Sequence, residues 1–482
     1  MNAQRTPDRG HAVVIGGGIS GLAAAHRLLA GGARVTVLEA SQRLGGKLYA
    51  GEIAGVPVDL GAESMLARRP EAVDLARAAG LTDRLQPPAT TSAGLWTRGG
   101  LRPMPKGHVM GVPGDPEPLA ATGVLSEEGL ARIAREPELP GLELGEDVSI
   151  GDFVASRFGR EVVDRLVEPL LGGVYAGDAY QISMRAAVPQ LFEAARTHGS
   201  LTESVRAMRR RGPVAVHQQG EAVFMGIDGG VGQLPPAVAD AVRAAGGRIR
   251  TGAPVRELRP GARPDGSWTV VLDDEVLTAD AVVLAVPAPA AARLLAGWLP
   301  AAAAELDTVD YASMALVTMA FRRAEVAGLP EGSGFLVPSV DGRRIKAATF
   351  SSRKWGWVRD ADPELFVLRT SIGRFQDDAD LKREDAELVE ISLADLGAAV
   401  GLAARPVATR VTRWADGLPQ YPVGHLDRIA RIRDRVATVP GLTVCGAAYD
   451  GVGIPACIAS GRDAAGRLLP TLATAAAAGE RE

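Results

Sequence analysis

Residues 11–39, HAVVIGGGISGLAAAHRLLAGGARVTVLE, decide the fold. Ala12 to Ile15 form a short apolar run, the profile of a buried parallel strand. Gly16, Gly18 and Gly21 then match G-x-G-x-x-G, with Gly17, Ile19 and Ser20 between them. Leu22 to Ala30 predicts a helix closed by Gly31-Gly32, and Arg34 to Leu38 predicts a second strand ending at Glu39. This is a complete βαβ unit. Gly16 permits the tight turn, Gly18 lets the backbone approach a pyrophosphate, and Gly21 lets helix and strand pack closely. The helix N-terminus favours the phosphate charge. Glu39 is placed to accept hydrogen bonds from a ribose diol, which disfavours a 2′-phosphate. The glycine pattern alone is weak; the flanking strand and helix, with the acid about 20 residues on, make it strong.

The next stretch, ASQRLGGKLYAGEIAGVPVDLGAES (40–64), selects the dinucleotide. Arg43 heads a second glycine turn, where it can neutralise a pyrophosphate, and Gly45-Gly46 can pass close to a flavin. Lys47 adds a cation. Here the chain resembles the FAD-dependent amine-oxidase-like flavoproteins. In that superfamily the same series is followed by a short motif facing the flavin, which Gly61-Ala62-Glu63-Ser64 matches.

Composition sets outer bounds. The chain has 482 residues, more than one core usually serves. A net charge of -4 argues against a general nucleic-acid binder. Cys445 and Cys457 cannot form a disulfide scaffold or a metal cluster alone, so a reducing, cytoplasmic setting is expected. The six histidines show no metal spacing. Neither a signal peptide nor a transmembrane helix is expected, while attachment to a membrane surface through a helical face stays open.

Two distant segments resemble further pieces of the cofactor domain: Phe224–Leu258, with its own glycine turn and helix, and Gly441–Leu469. The expected architecture is α/β. A discontinuous Rossmann-like FAD-binding domain of glutathione-reductase type comprises 1–69, 223–287 and 413–470. A mostly helical insertion spans 70–222, with a polar, mobile excursion at 196–221. An antiparallel-sheet substrate domain spans 288–412, and 471–482 is a frayed tail.

Six further motifs narrow the family: EPLLGGVYAGDAYQISMRAAVP (168–189), GSGFLVP (332–338), IKAATFSSRKW (345–355), LRTSIGR (368–374), RWADGLPQYPVGH (413–425) and GAAYDGVGIPACIASGRDAA (446–465). Together they resemble the porphyrinogen oxidases of haem biosynthesis over almost the whole chain. GAES and SSRKW resemble the subgroup acting on coproporphyrinogen III; the subgroup acting on protoporphyrinogen IX commonly has a G-P-[NE]-[ST] sequence in place of GAES. The resemblance implies a six-electron oxidation in three hydride transfers to FAD. Oxygen would be the acceptor and hydrogen peroxide a product, and contact with other haem-pathway enzymes is a further implication. An amine oxidase needs an aromatic cage, which 4% aromatic residues disfavour. A protoporphyrinogen oxidase, or a catalytically idle flavoprotein scaffold of the pathway, remains an alternative.

The resemblance carries FAD contacts onto the Gly16–Gly21 loop, Glu39-Ala40, Lys47, Gly61–Ser64, Val255, Trp414 and Val452-Gly453-Ile454. It places Gly173 against the tetrapyrrole. No residue is assigned as acid or base. Some relatives place a propionate-binding arginine where Ala93 stands, so other cations must serve: Arg98, Lys106, Arg185, Lys346, Arg353 and Lys354 are candidates, Arg98 and Lys354 foremost.

Overall fold

Along the His11–Ile15 strand, Ala12 and Val14 enter one core while Val13 and Ile15 enter another. That alternation on a fully buried strand requires cover on both sheet faces. The computed structural model, which describes residues 10–141, 144–211, 223–261 and 267–479, provides it. The strand is central in a five-stranded parallel sheet, ordered Arg248–Arg250, Arg34–Leu38, His11–Ile15, Ala281–Leu284, Leu442–Val444. Helices Ile19–Ala30, Leu234–Ala244 and Ile454–Gly479 pack on one face. The other face carries the antiparallel meander Glu257–Pro260, Trp268–Val271, Val276–Ala279 and the His425–Ala437 helix. Three distant chain segments thus share one sheet.

A second sheet has seven strands, ordered Ala408–Pro419, Tyr311–Arg322, Leu365–Ile372, Ile345–Thr349, Gly334–Leu336, Gly94–Thr97, Gly100–Pro103. Two expected boundaries give way here. The one at 413 cuts through the Ala408–Pro419 strand. At Asp416-Gly417 the chain only bulges: Asp416 has φ 45° and donates its N–H to Ser313 Oγ at 2.9 Å, so pairing continues on both sides. Conversely, the Gly94–Pro103 hairpin leaves the expected helical insertion and closes this sheet's edge. The Asp385–Val400 helix covers the face carrying Thr370, whose hydroxyl bonds Ser392. Arg369 points to the opposite face, towards Gly61.

The helical body packs around Phe158, Leu166 and Phe192. Its helix from Arg160 contains a π-helical turn at Val163–Val167 and continues to Tyr175. Of the expected excursion at 196–221, Arg196 and Thr197 end the helix Pro189–Thr197 and Leu201–Arg211 is a further helix; residues 212–221 lie outside the described residues. Leu201 and Val205 are buried, and the carboxylate of Glu136 caps the helix start, accepting from Leu201 N–H at 2.8 Å and from the Arg157 guanidinium. A cap from 65 positions away is invisible to local reading. The expected tail is helical as far as the described residues go: the last helix runs through Pro470 to Gly479, with Leu472 buried against Gly10.

Candidate active site

The glycines of 16–21 divide by what surrounds them. A Cβ on Gly16, whose φ is +110°, would strike the Ala285 carbonyl, and one on Gly21 would strike the Gly16 carbonyl. A Cβ on Gly17 would lie 2.5 Å from Leu44. On Gly18 it would meet nothing within 4 Å. Gly18 instead borders open space at the start of the Ile19–Ala30 helix, with no side-chain cap on its first N–H groups. Across that space stands Gly46, held by the bond from Gly45 N–H to Gly17 O at 2.8 Å. Two glycine turns thus form one cradle in which backbone is bare on both sides. Ile19 and Ser20 are buried behind it.

Glu39 ends the second strand beside this cradle. It accepts from Gly17 N–H at 2.7 Å, and from the N–H and hydroxyl of Ser41 at 2.9 and 2.8 Å. A carboxylate has about four lone-pair sites, so a ribose hydroxyl can still bind. Ala40 follows directly, and Ala253 N–H donates to Glu39 O at 2.9 Å, which brings the Val255 segment alongside. Ile454 begins the last helix, preceded by Val452 and an exposed Gly453. These residues fit a dinucleotide: bare backbone for phosphate, an acid for ribose and a second helix N-terminus.

Four expected contacts are engaged within the protein. Arg43 stacks over Tyr49 at 4.2 Å and donates to the carbonyls of Leu44, Leu48 and Gly46, so it shapes the glycine turn. Glu63 turns away from the cradle and pairs with Lys354 and with Arg369, the latter at 3.0 Å. Lys354 is therefore committed to Glu63 rather than to a substrate carboxylate. Arg98 sits on an exposed hairpin turn, paired with Glu161 at 3.1 Å.

Of the remaining expected residues, Lys47, Gly61, Ala62 and Trp414 lie together. Ala62 N–H bonds Lys47 O at 3.2 Å, and burial lowers the Lys47 pKa. Ser64 closes the motif just before the Met65–Leu66 strand. Trp414 donates to Leu60 O at 3.0 Å and lies edge-on to Tyr49. Gly173 is exposed, with Leu336 beside it. Sequence reasoning missed Asp59 and Arg369. Asp59 accepts from Val231 and Gly232 N–H at 3.0 and 2.9 Å, anchoring the middle cofactor segment; burial raises its pKa to about 7. Arg369 donates to Gly61 O at 2.9 Å. An arginine inside the apolar strand LFVLRTSI was the available signal.

An aromatic stack joins the Gly173 helix to the His425–Ala437 helix and to the short Ala447–Asp450 helix. Tyr175 meets Tyr421 edge-on at 5.4 Å, and Tyr421 stacks on His425 at 4.3 Å and donates to Ala447 O. Burial, aided by the nearby Arg428 charge, pushes the His425 pKa down to about 4. The unfolded chain therefore protonates first, near pH 6.5. Stability should fall as pH drops from 6.5 towards 4, by on the order of 3 kcal/mol from this group. Thermal unfolding of His425→Phe against wild type across that range should show the difference; parallel curves would contradict it.

The family "Flavin containing amine oxidoreductase" matches residues 19–469. A Mycobacterium tuberculosis protein named coproporphyrinogen III oxidase is 39% identical, over 93% of this chain and 95% of its own. One of that name from Bacillus subtilis is 34% identical, over 94% and 97%. A crystal structure from Exiguobacterium sp. 255-15, named "Putative protoporphyrinogen oxidase", superposes with a TM-score of 0.84 at 34% identity, covering 96% of this chain and 99% of that one. With the bare glycine cradle, Glu39 and the split sheet, these likenesses place the chain in the flavin-containing amine oxidoreductase family, an FAD-dependent oxidoreductase of mixed α/β fold.

Proposed function

We propose that this chain oxidises coproporphyrinogen III to coproporphyrin III in haem biosynthesis, on a cofactor domain of glutathione-reductase type. The observation that carries the reading is 39% identity along 93% of the chain to a protein of that name. The bound flavin supplies the redox chemistry: three two-electron removals, with oxygen as acceptor and hydrogen peroxide as product. The protein's residues bind and orient. The Gly18–Gly46 cradle holds the pyrophosphate, Glu39 the ribose, and Val255 the adenine side. Val452 to Ile454 aim a helix N-terminus at the isoalloxazine, Trp414 packs beside it, and Arg369 fixes the Gly61–Ser64 turn against the sheet. Gly173 leaves room for the tetrapyrrole to approach the backbone.

The Exiguobacterium name supports protoporphyrinogen IX as the second substrate to assay. Purified protein should be yellow, consume oxygen and turn over coproporphyrinogen III with kcat/KM at least about tenfold above protoporphyrinogen IX. The reverse ratio would move it to the protoporphyrinogen branch. Bound FAD that neither porphyrinogen bleaches would make it a scaffold. A cytoplasmic location and contact with neighbouring haem-pathway enzymes belong to the same reading. Among the described residues no helix is long and apolar enough to cross a membrane.

A further inference from the structure

A tetrapyrrole with four propionates needs cations, and most of the candidates are already engaged. Arg98 pairs with Glu161, Arg185 with Asp427 and Lys354 with Glu63, while Arg353 donates to the carbonyls of Leu329 and Pro330. Lys106 is exposed. Lys346 differs from all of these. It is 5% exposed, and its described side-chain contact is the Met314 sulfur, 4.0 Å from Nζ.

Its position is specific. On one side of the Ile345–Thr349 strand, pairing to Leu365–Ile372 shifts between Ile345 and Ala347, so Lys346 occupies a bulge. Bulges re-aim a side chain, and they recur next to active sites. Met314, which Lys346 touches, is in register with Trp414. On the other side, Ala347 is in register with Leu336, whose methyl lies 3.8 Å from where a Gly173 Cβ would sit. Lys346 therefore stands between the tetrapyrrole wall and the strand carrying the flavin-side tryptophan.

The charges around it do not balance. Arg374 and Glu168 are the charged groups facing Lys346. The Arg374 Nε is 3.6 Å from Glu168 Oε1 and has no hydrogen-bond partner among the described residues, while Glu168 Oε2 also accepts from Ser339 N–H. One carboxylate thus faces two buried cations. A buried ammonium without a counter-charge is costly, and burial together with Arg374 lowers the Lys346 pKa to about 7. An arriving carboxylate would supply the missing charge and form a charge-assisted hydrogen bond.

We propose that Lys346, with Arg374 beside it, is the receptor for one propionate carboxylate of the tetrapyrrole. The proposal rests on the porphyrinogen reading above and makes Lys346 a specificity residue favouring a substrate with more carboxylates. The test is a fluorescence titration of the flavin-loaded protein with coproporphyrin III and with its tetramethyl ester. Wild type should bind the free acid at least about tenfold more tightly than the ester. Lys346→Met should lose that preference through weaker binding of the acid alone, and Lys346→Arg should keep it, both retaining flavin. Unchanged acid affinity in Lys346→Met overturns the proposal and leaves the porphyrinogen reading standing. A wild type that binds neither ligand overturns both. Should Lys346→Met fail to fold, the wild-type pH profile decides: acid affinity should fall about tenfold between pH 6 and 9 while ester affinity stays flat. A flat profile for the acid overturns the proposal.

Discussion

Gly18→Val should yield a folded, colourless protein. A Cβ at Gly18 meets no protein atom within 4 Å, so the fold itself should tolerate the substitution. The new methyls instead occupy the space that a pyrophosphate needs against bare backbone. FAD affinity should fall at least about a hundredfold, read as lost flavin absorbance in protein whose circular dichroism matches wild-type apoprotein. Gly21→Ala is the control with the opposite logic. Its Cβ would run into the Gly16 carbonyl, so it should damage folding itself. If Gly18→Val kept full flavin occupancy, the cradle would be misassigned. The two variants separate glycines that a motif treats alike.

What sequence revealed and what it missed follow the reach of each interaction. The first βαβ unit is read from neighbours within 29 positions, where glycine spacing and strand periodicity operate. Sheet membership of residues 94–103 and 408–419 depends on partners far along the chain, which local patterns do not report. The same limit applies to side-chain roles. Arg43, Glu63 and Lys354 stand at motif positions, so a cofactor or substrate role was the natural expectation. Their partners are carbonyls and charges that no spacing rule reports. The Leu201–Arg211 helix was missed because its polar face dominates the composition, while its cap, Glu136, lies in another element.

Glu63→Gln should loosen the Gly61–Ser64 turn from the seven-stranded sheet and cost about 3–5 kcal/mol, because Lys354 and Arg369 would lose their shared counter-charge inside the protein. Burial works against ionised Glu63, but Arg369 and Lys354 outweigh it and hold its pKa below the ordinary glutamate value. A carboxyl whose folded pKa is depressed contributes its stability above the unfolded pKa and loses it as pH falls through the folded value. The triad is therefore intact at neutral pH and dissolves only below about pH 4.5. Flavin release on heating, followed by flavin fluorescence, should come at a lower temperature in Glu63→Gln than in wild type at pH 7. The gap should close on acidification, as wild-type Glu63 protonates. Lys354→Met leaves Arg369 to balance Glu63 and should cost less than Glu63→Gln, with the flavin spectrum unchanged at room temperature. A Glu63→Gln protein that released flavin at the wild-type temperature would show that Arg369, through its bond to Gly61 O, holds the turn without the carboxylate.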